Sequence, residues 1–183
     1  QIVAAPWRSK RPTAELAAEA LAELPADGTI RVLVAHGAVD ILDPDPNRPS
    51  TIRLAALRDA LDRGAVHYVA LGDRHSRTRV GDCGRIWYSG SPEVTNYDDI
   101  ESDPGHVLLV DIDADGRAAV DSRRIGRWRF TTLRSQLDND RDVADLDMNL
   151  DLIPDKDRTV VQLVLTGTLS VTDRAALDGC LDK

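Results

Sequence analysis

His36, Asp73 and His75 are the side chains whose type and placement could do chemistry in this sequence. His36 follows Val32-Leu33-Val34-Ala35 and precedes Gly37. Asp73, Arg74 and His75 follow Tyr68-Val69-Ala70-Leu71-Gly72. Each group stands where an apolar run stops, and open α/β sheets build ligand sites at the carboxyl ends of their strands. Neutral imidazole is a common metal ligand. A carboxylate beside an imidazole suits a divalent ion such as manganese, iron or zinc. Residues two apart in extended backbone point the same way, so Asp73 and His75 could reach the same cation. Two plainer roles stand beside these: His36 capping local carbonyls, and an Asp–His hydrogen bond on an exposed turn.

A third loop, Ser89-Gly90-Ser91-Pro92, could cradle a phosphate through its backbone amides. It could equally be a simple turn. Arg74, Arg77 and Arg79 flank the Asp73 loop. Arg123, Arg124, Arg127 and Arg129 surround Trp128, and Arg8, Lys10 and Arg11 follow Trp7. Arginine with aromatic neighbours suits a nucleic-acid backbone, though ordinary surface has the same composition. Asp111-Ile112-Asp113-Ala114-Asp115-Gly116 imitates the start of a calcium-binding loop, but Ser122 stands where the closing bidentate Glu belongs. Its alternating flanks predict a hairpin instead. The sequence has no Gly-x-Ser-x-Gly elbow, no Walker loop and no Gly-x-Gly-x-x-Gly.

The elements that must position these residues follow from periodicity. Residues 2–5 read as a strand stopped by Pro6. Thr13 is placed to cap a helix over 14–24, with Leu16, Ala20 and Leu24 on one face. Residues 30–35 form an apolar run suited to a strand buried on both faces. Ser50 or Thr51 could cap a helix over 52–62, closed by Gly64. Residues 66–71 give the strand that enters the Asp73 loop. This alternation predicts α/β layering. Beyond the loop, hairpins are expected over 78–88 and 107–122, with a further strand at 127–131. Residues 138–157 hold eight Asp and read as a mobile helix or linker. A strand at 159–165 and a helix over 173–181, capped by Thr172, close the chain.

Length and composition bound the function. A chain of 183 residues with 42% hydrophobic and 30% charged residues can build a core. A net charge of −8 argues against a general polyanion-binding surface, but not against a local basic groove. The two cysteines, Cys83 and Cys180, have no metal-ligand spacing. A reduced, cytoplasmic setting is the simple expectation, with a single disulfide as the alternative. No run approaches the length of a membrane span, and no signal-peptide pattern is present.

The three loops together resemble the calcineurin-like metallophosphoesterases. The carrying residues are Val32-Leu33-Val34-Ala35-His36-Gly37, then Tyr68-Val69-Ala70-Leu71-Gly72-Asp73-Arg74-His75, then Ile86-Trp87-Tyr88-Ser89-Gly90-Ser91-Pro92-Glu93. Within that family the sequence is most similar to the SbcD-type DNA-repair exonucleases, which pair with a coiled-coil SMC-like ATPase. The resemblance implies a fold: the C-terminal half of a four-layer α-β-β-α sandwich over residues 1–131. An acidic linker at 132–158 and a partial α+β capping domain at 159–183 would follow.

The resemblance also implies two divalent metal ions, usually Mn2+, that bind a phosphodiester and generate a hydroxide nucleophile. His36, Asp73 and His75 would be metal ligands. Arg74, Arg77, Ser89, Gly90 and Ser91 would meet phosphate or DNA. DNA, the ATPase subunit and a second copy are the implied partners, with no membrane. Two departures from the pattern stand out. Asp73 replaces the usual first His of a Gly-His-x-His motif, and the family's first three metal motifs are not in these residues. This polypeptide by itself is therefore expected to be inactive. Two rival readings remain: a non-catalytic partner-binding module, and a phosphoesterase of the same superfamily acting on nucleotides or phosphoproteins.

Overall fold

Short apolar runs rich in Val, Leu and Ala form the first strands, and the computed structural model describes residues 1–182 apart from Arg8, Lys10, Arg11, Pro44 and Pro46. The basic cluster expected after Trp7 thus lies outside the described residues. The chain divides into two units, 1–93 with 103–126, and 94–102 with 127–183. Each is α/β in character. No helix among the described residues is long and apolar enough to cross a membrane.

The first unit is built on a five-stranded sheet. Strands β1 (Ile2–Ala5), β2 (Val32–His36), β3 (Tyr68–Gly72) and β5 (Ile86–Tyr88) run parallel. β4 (Thr78–Arg79) pairs antiparallel at the edge, giving the order β1-β2-β3-β5-β4. Helices α1 (Leu16–Leu21) and α2 (Leu54–Asp62) supply Ala17, Leu21, Leu57, Ala60 and Leu61 to one core with Leu33, Val69, Leu71 and Ile86. Each of the Leu, Val and Ile side chains, when fully buried, contributes about 1.5–3 kcal/mol. Alternate residues face the other way, and Ile2 and Val34 remain 66% and 43% exposed there. An antiparallel hairpin of β6 (His106–Ile112) and β7 (Ala118–Arg124) completes the unit. Its tip glycine, Gly116, sits against the His67 ring, with no room for a Cβ.

The second unit is a parallel pair, β8 (Arg129–Gln136) with β9 (Thr159–Thr166), matched over their whole length. Helices α3 (Asp140–Asp151) and α4 (Val171–Leu181) share a core of Leu137, Val143, Leu146 and Leu177. Residues 94–102 join through Asp98, whose carboxylate accepts from Thr131 Oγ1 at 2.7 Å and Thr132 N at 2.9 Å. The hydroxyl of Thr131 is the main reason that the Asp98 carboxyl is held below its ordinary pKa.

Several expectations are revised. The stretch expected as an acidic linker, 132–158, contains most of β8 and the whole of α3. β8 pairs with β9, so residues from 127 onward group with the C-terminal piece, and the first unit reaches 126 rather than 131. Thr13 does not cap α1, which starts after Glu15 with no side-chain cap. Neither Ser50 nor Thr51 caps α2. Thr51 is buried and donates to Asp43 Oδ2 at 2.8 Å. The early amides of α2 are met from farther away, by Glu15 Oε1 on Arg53 N at 2.7 Å and by Asp40 Oδ1 on Leu54 N at 3.3 Å. In α4 the cap is Ser170 rather than Thr172, accepting from Asp173 N at 3.1 Å.

Candidate functional site

β2, β3 and β5 run parallel, so their carboxyl ends open on the same edge of the sheet. The segments that follow line one cleft of about 350 Å3, formed by His36, Asp73, Arg74, His75 and the loop from Ser89 to Pro92. His36 is the last residue of β2 and pairs in register with Gly72, the last of β3. Three stretches far apart in sequence therefore meet because the sheet register brings them together.

His36 Nε2 lies 3.6 Å from Asp73 Oδ1, with both side chains about half exposed. The imidazole meets the Trp7 ring edge-on, with centroids 5.0 Å apart and an interplanar angle of 76°. A Cβ on Gly72 would fall 2.9 Å from His36 Nδ1, so glycine leaves the ring its place. Asp73 has φ 111°, a left-handed conformation that a residue with a Cβ seldom adopts. Backbone held there costs about 1–3 kcal/mol and tends to occur at functional sites.

Tyr88 fixes the floor behind His36. Its buried hydroxyl donates to Gly37 O at 2.8 Å and accepts from Val39 N at 3.0 Å. Burial pushes the Tyr88 phenol up to about 12, so it stays a neutral donor. The Ser89–Ser91 loop packs hard on the Asp73 loop. Ser91 N donates to His75 O at 2.7 Å. A Cβ on Gly90, at φ 81°, would fall 2.6 Å from His75 O and 2.8 Å from Arg77 N. Only glycine allows that approach.

The expected site residues thus divide. His36, Asp73, Arg74, His75, Ser89, Gly90 and Ser91 line the same cleft. Arg74 Nε reaches Thr78 Oγ1 at 3.4 Å. The amide of Ser91 is spent on His75, which narrows any anion nest to the rest of the loop. Arg77 takes a different place. Its guanidinium binds Asp103 Oδ2 at 2.8 Å, and its backbone N donates to Asp103 O at 2.9 Å. A carboxylate already occupies the fork that phosphate would need, so Arg77 ties residue 103 to the site loop. Trp7 and Tyr88 are the positioning residues that sequence alone did not single out. Tyr88 was visible as the polar-tipped residue of a short apolar strand directly before Ser89. Trp7 stood out only as the aromatic before a basic cluster, with nothing to mark it as the neighbour of His36.

Two imidazoles and a carboxylate are the right donor types for a borderline divalent ion. Among the described residues, however, no group of three His, Cys, Asp or Glu side chains gathers closely enough to hold one. A catalytic zinc site, for comparison, takes three protein ligands. His36, Asp73 and His75 stand along one cleft at the strand ends. They offer a partial donor set, a nearby guanidinium and a tightly packed glycine loop. A scan against family models found no match, and a search of curated proteins found none either.

Proposed function

We propose that these 183 residues are the part of a metal-dependent phosphodiesterase, of the DNA-repair exonuclease type, that carries the last metal donors and the phosphate-facing loops. One observation carries this reading: a single cleft at the strand ends collects His36, Asp73, Arg74, His75 and the Ser89–Ser91 loop. Divalent metal, most simply Mn2+, would supply Lewis-acid activation of the phosphodiester and of a water. Arg74, which lines the same cleft, would meet the phosphate, and Gly90 lets its loop pack against His75 and Arg77. On this reading the remaining donors come from outside these residues. DNA, an SMC-like ATPase subunit and a second copy are the partners that go with it.

A second reading is a non-catalytic partner-binding module. The lack of a three-donor group among the described residues favours it. The two are separated by Mn2+-dependent cleavage of linear duplex and single-stranded DNA by the longest natural chain containing these residues. Cleavage abolished by His75→Ala supports the nuclease. Cleavage unchanged in that variant overturns the site assignment, and no cleavage by the unsubstituted chain leaves the binding module.

A further inference from the structure

The strand-end edge of the first unit extends past the cleft to a side chain that the proposed chemistry does not use. β1 runs parallel to β2, so the chain leaves β1 through Pro6 and Trp7 on the same edge as His36. Across the sheet the order is then Trp7, His36, the Asp73–His75 loop and the Ser89–Pro92 loop. Neighbouring strands are spaced by about 4.8 Å, so the ends of β1 and β3 stand about 10 Å apart. The Trp7 ring meets His36 edge-on, with centroids 5.0 Å apart, yet 36% of the residue stays exposed.

The seat of this indole is built. Gly37 has φ 134°, and a Cβ there would fall 3.3 Å from Trp7 Cζ2, so glycine lets the ring lie against the backbone. That backbone is pinned on both sides. Gly37 N donates to Gly72 O at 3.2 Å, and Gly37 O accepts from the Tyr88 hydroxyl at 2.8 Å. An aromatic held in place in advance loses little freedom when it binds. The cleft beside it carries two imidazoles, a carboxylate and a guanidinium, which suit a charged ligand rather than an apolar one.

We propose that Trp7 is a specificity-determining residue that stacks on an unpaired nucleobase of the phosphodiester held in the cleft. The inference rests on the phosphodiesterase reading and narrows its substrate. In a nucleotide, base and phosphate are one sugar apart; here the exposed indole and the Asp73–His75 loop are two strand spacings apart. A nucleotide strand brings a flat π face beside each phosphate, whereas a phosphopeptide or a lipid headgroup does not. Bases inside a duplex are already stacked, so the base that reaches Trp7 is one freed at a single-stranded or frayed end. Every base has a π face, so this contact selects unpaired strands without selecting sequence.

The test uses the 183-residue chain with Mg2+ and two probes of equal length, a short thymidine oligonucleotide and the same deoxyribose-phosphate chain without bases. Binding is read by amide and indole NMR shifts at about 0.15 M ionic strength, where long-range attraction is screened. Both probes are expected to shift residues 72–76. Only the thymidine strand is expected to shift the Trp7 indole, while the Trp87 indole, which donates to Gly84 O at 2.8 Å, stays still. Trp7→Leu keeps an apolar side chain beside His36 but no π face. It is expected to lose about tenfold in affinity for the thymidine strand, with no such loss for the abasic chain, and Trp7→Phe is expected to keep most of the affinity. Equal loss for both probes would mean that Trp7 only steadies His36, and overturns the proposal. So does a thymidine strand that binds no better than the abasic chain, or one that shifts the Trp128 indole and leaves Trp7 still. A cleft that neither probe shifts overturns it as well, and cleavage by the longer natural chain then judges the phosphodiesterase reading on its own.

Discussion

Asp73 holds φ 111° at the mouth of the cleft, with its carboxylate 3.6 Å from the His36 imidazole. Glycine would occupy that backbone without strain, so a non-glycine residue here is kept against its conformational preference. Asp73→Gly is therefore expected to raise the unfolding free energy by about 1 kcal/mol, while Asp73→Ala gains nothing, since it keeps the Cβ. Urea denaturation of the two variants decides this; equal effects would mean that the backbone at 73 is not strained. The chemistry at this position was readable in the sequence because Asp and His stand just past an apolar run. The positive φ was not, since no local sequence pattern marks it at an aspartate. Arg77 teaches the same point. A free-standing arginine beside a site loop reads as a phosphate contact until Asp103, twenty-six residues away, is seen to occupy its fork.

At the scale of elements, the α/β layering of the first unit was legible from apolar runs separated by helical periodicity, whereas the strand order was not. Nor were the caps. The amides that open α2 are satisfied by Glu15 and Asp40, contacts that no local cap pattern can show. Of the two readings of 138–157, helix or linker, the helix is what forms, as α3, because Val143 and Leu146 give it an inner face among the aspartates. The turn into β2 shows another long-range polar arrangement. Arg31 is buried and binds both oxygens of Asp27 at 2.9 Å, with Pro25 O at 2.7 Å and Gln1 Oε1 at 2.9 Å. The Arg31 guanidinium holds the Asp27 carboxyl well below the usual carboxylate range. A carboxyl with a depressed folded pKa stabilises fully above its unfolded value, about 3.9, and loses that contribution as pH falls toward the folded value. Stability should therefore drop below about pH 4, and Asp27→Asn should flatten that part of the acid limb. Thermal unfolding from neutral to strongly acidic pH reads it; an unchanged slope in the variant would place the acid sensitivity elsewhere.

Across the whole molecule, charge and chemistry are divided between the two units. The first carries the cleft with two net negative charges, and the second carries six. The division follows from the eight Asp of residues 138–157, and the arginines that β8 brings to the second unit lessen it. Nucleic acid would meet less repulsion at the first unit. A divalent cation, in contrast, has two kinds of place to go: diffuse attraction to the aspartates of α3, and the donor set at the strand ends. Mn2+ titration of the 183-residue chain, followed by paramagnetic broadening of amide resonances at about 0.15 M ionic strength, separates them. His36, Gly37 and residues 72–76 are expected to broaden first, with His75→Ala delaying them. Broadening that begins in α3 and leaves the cleft sharp would contradict it.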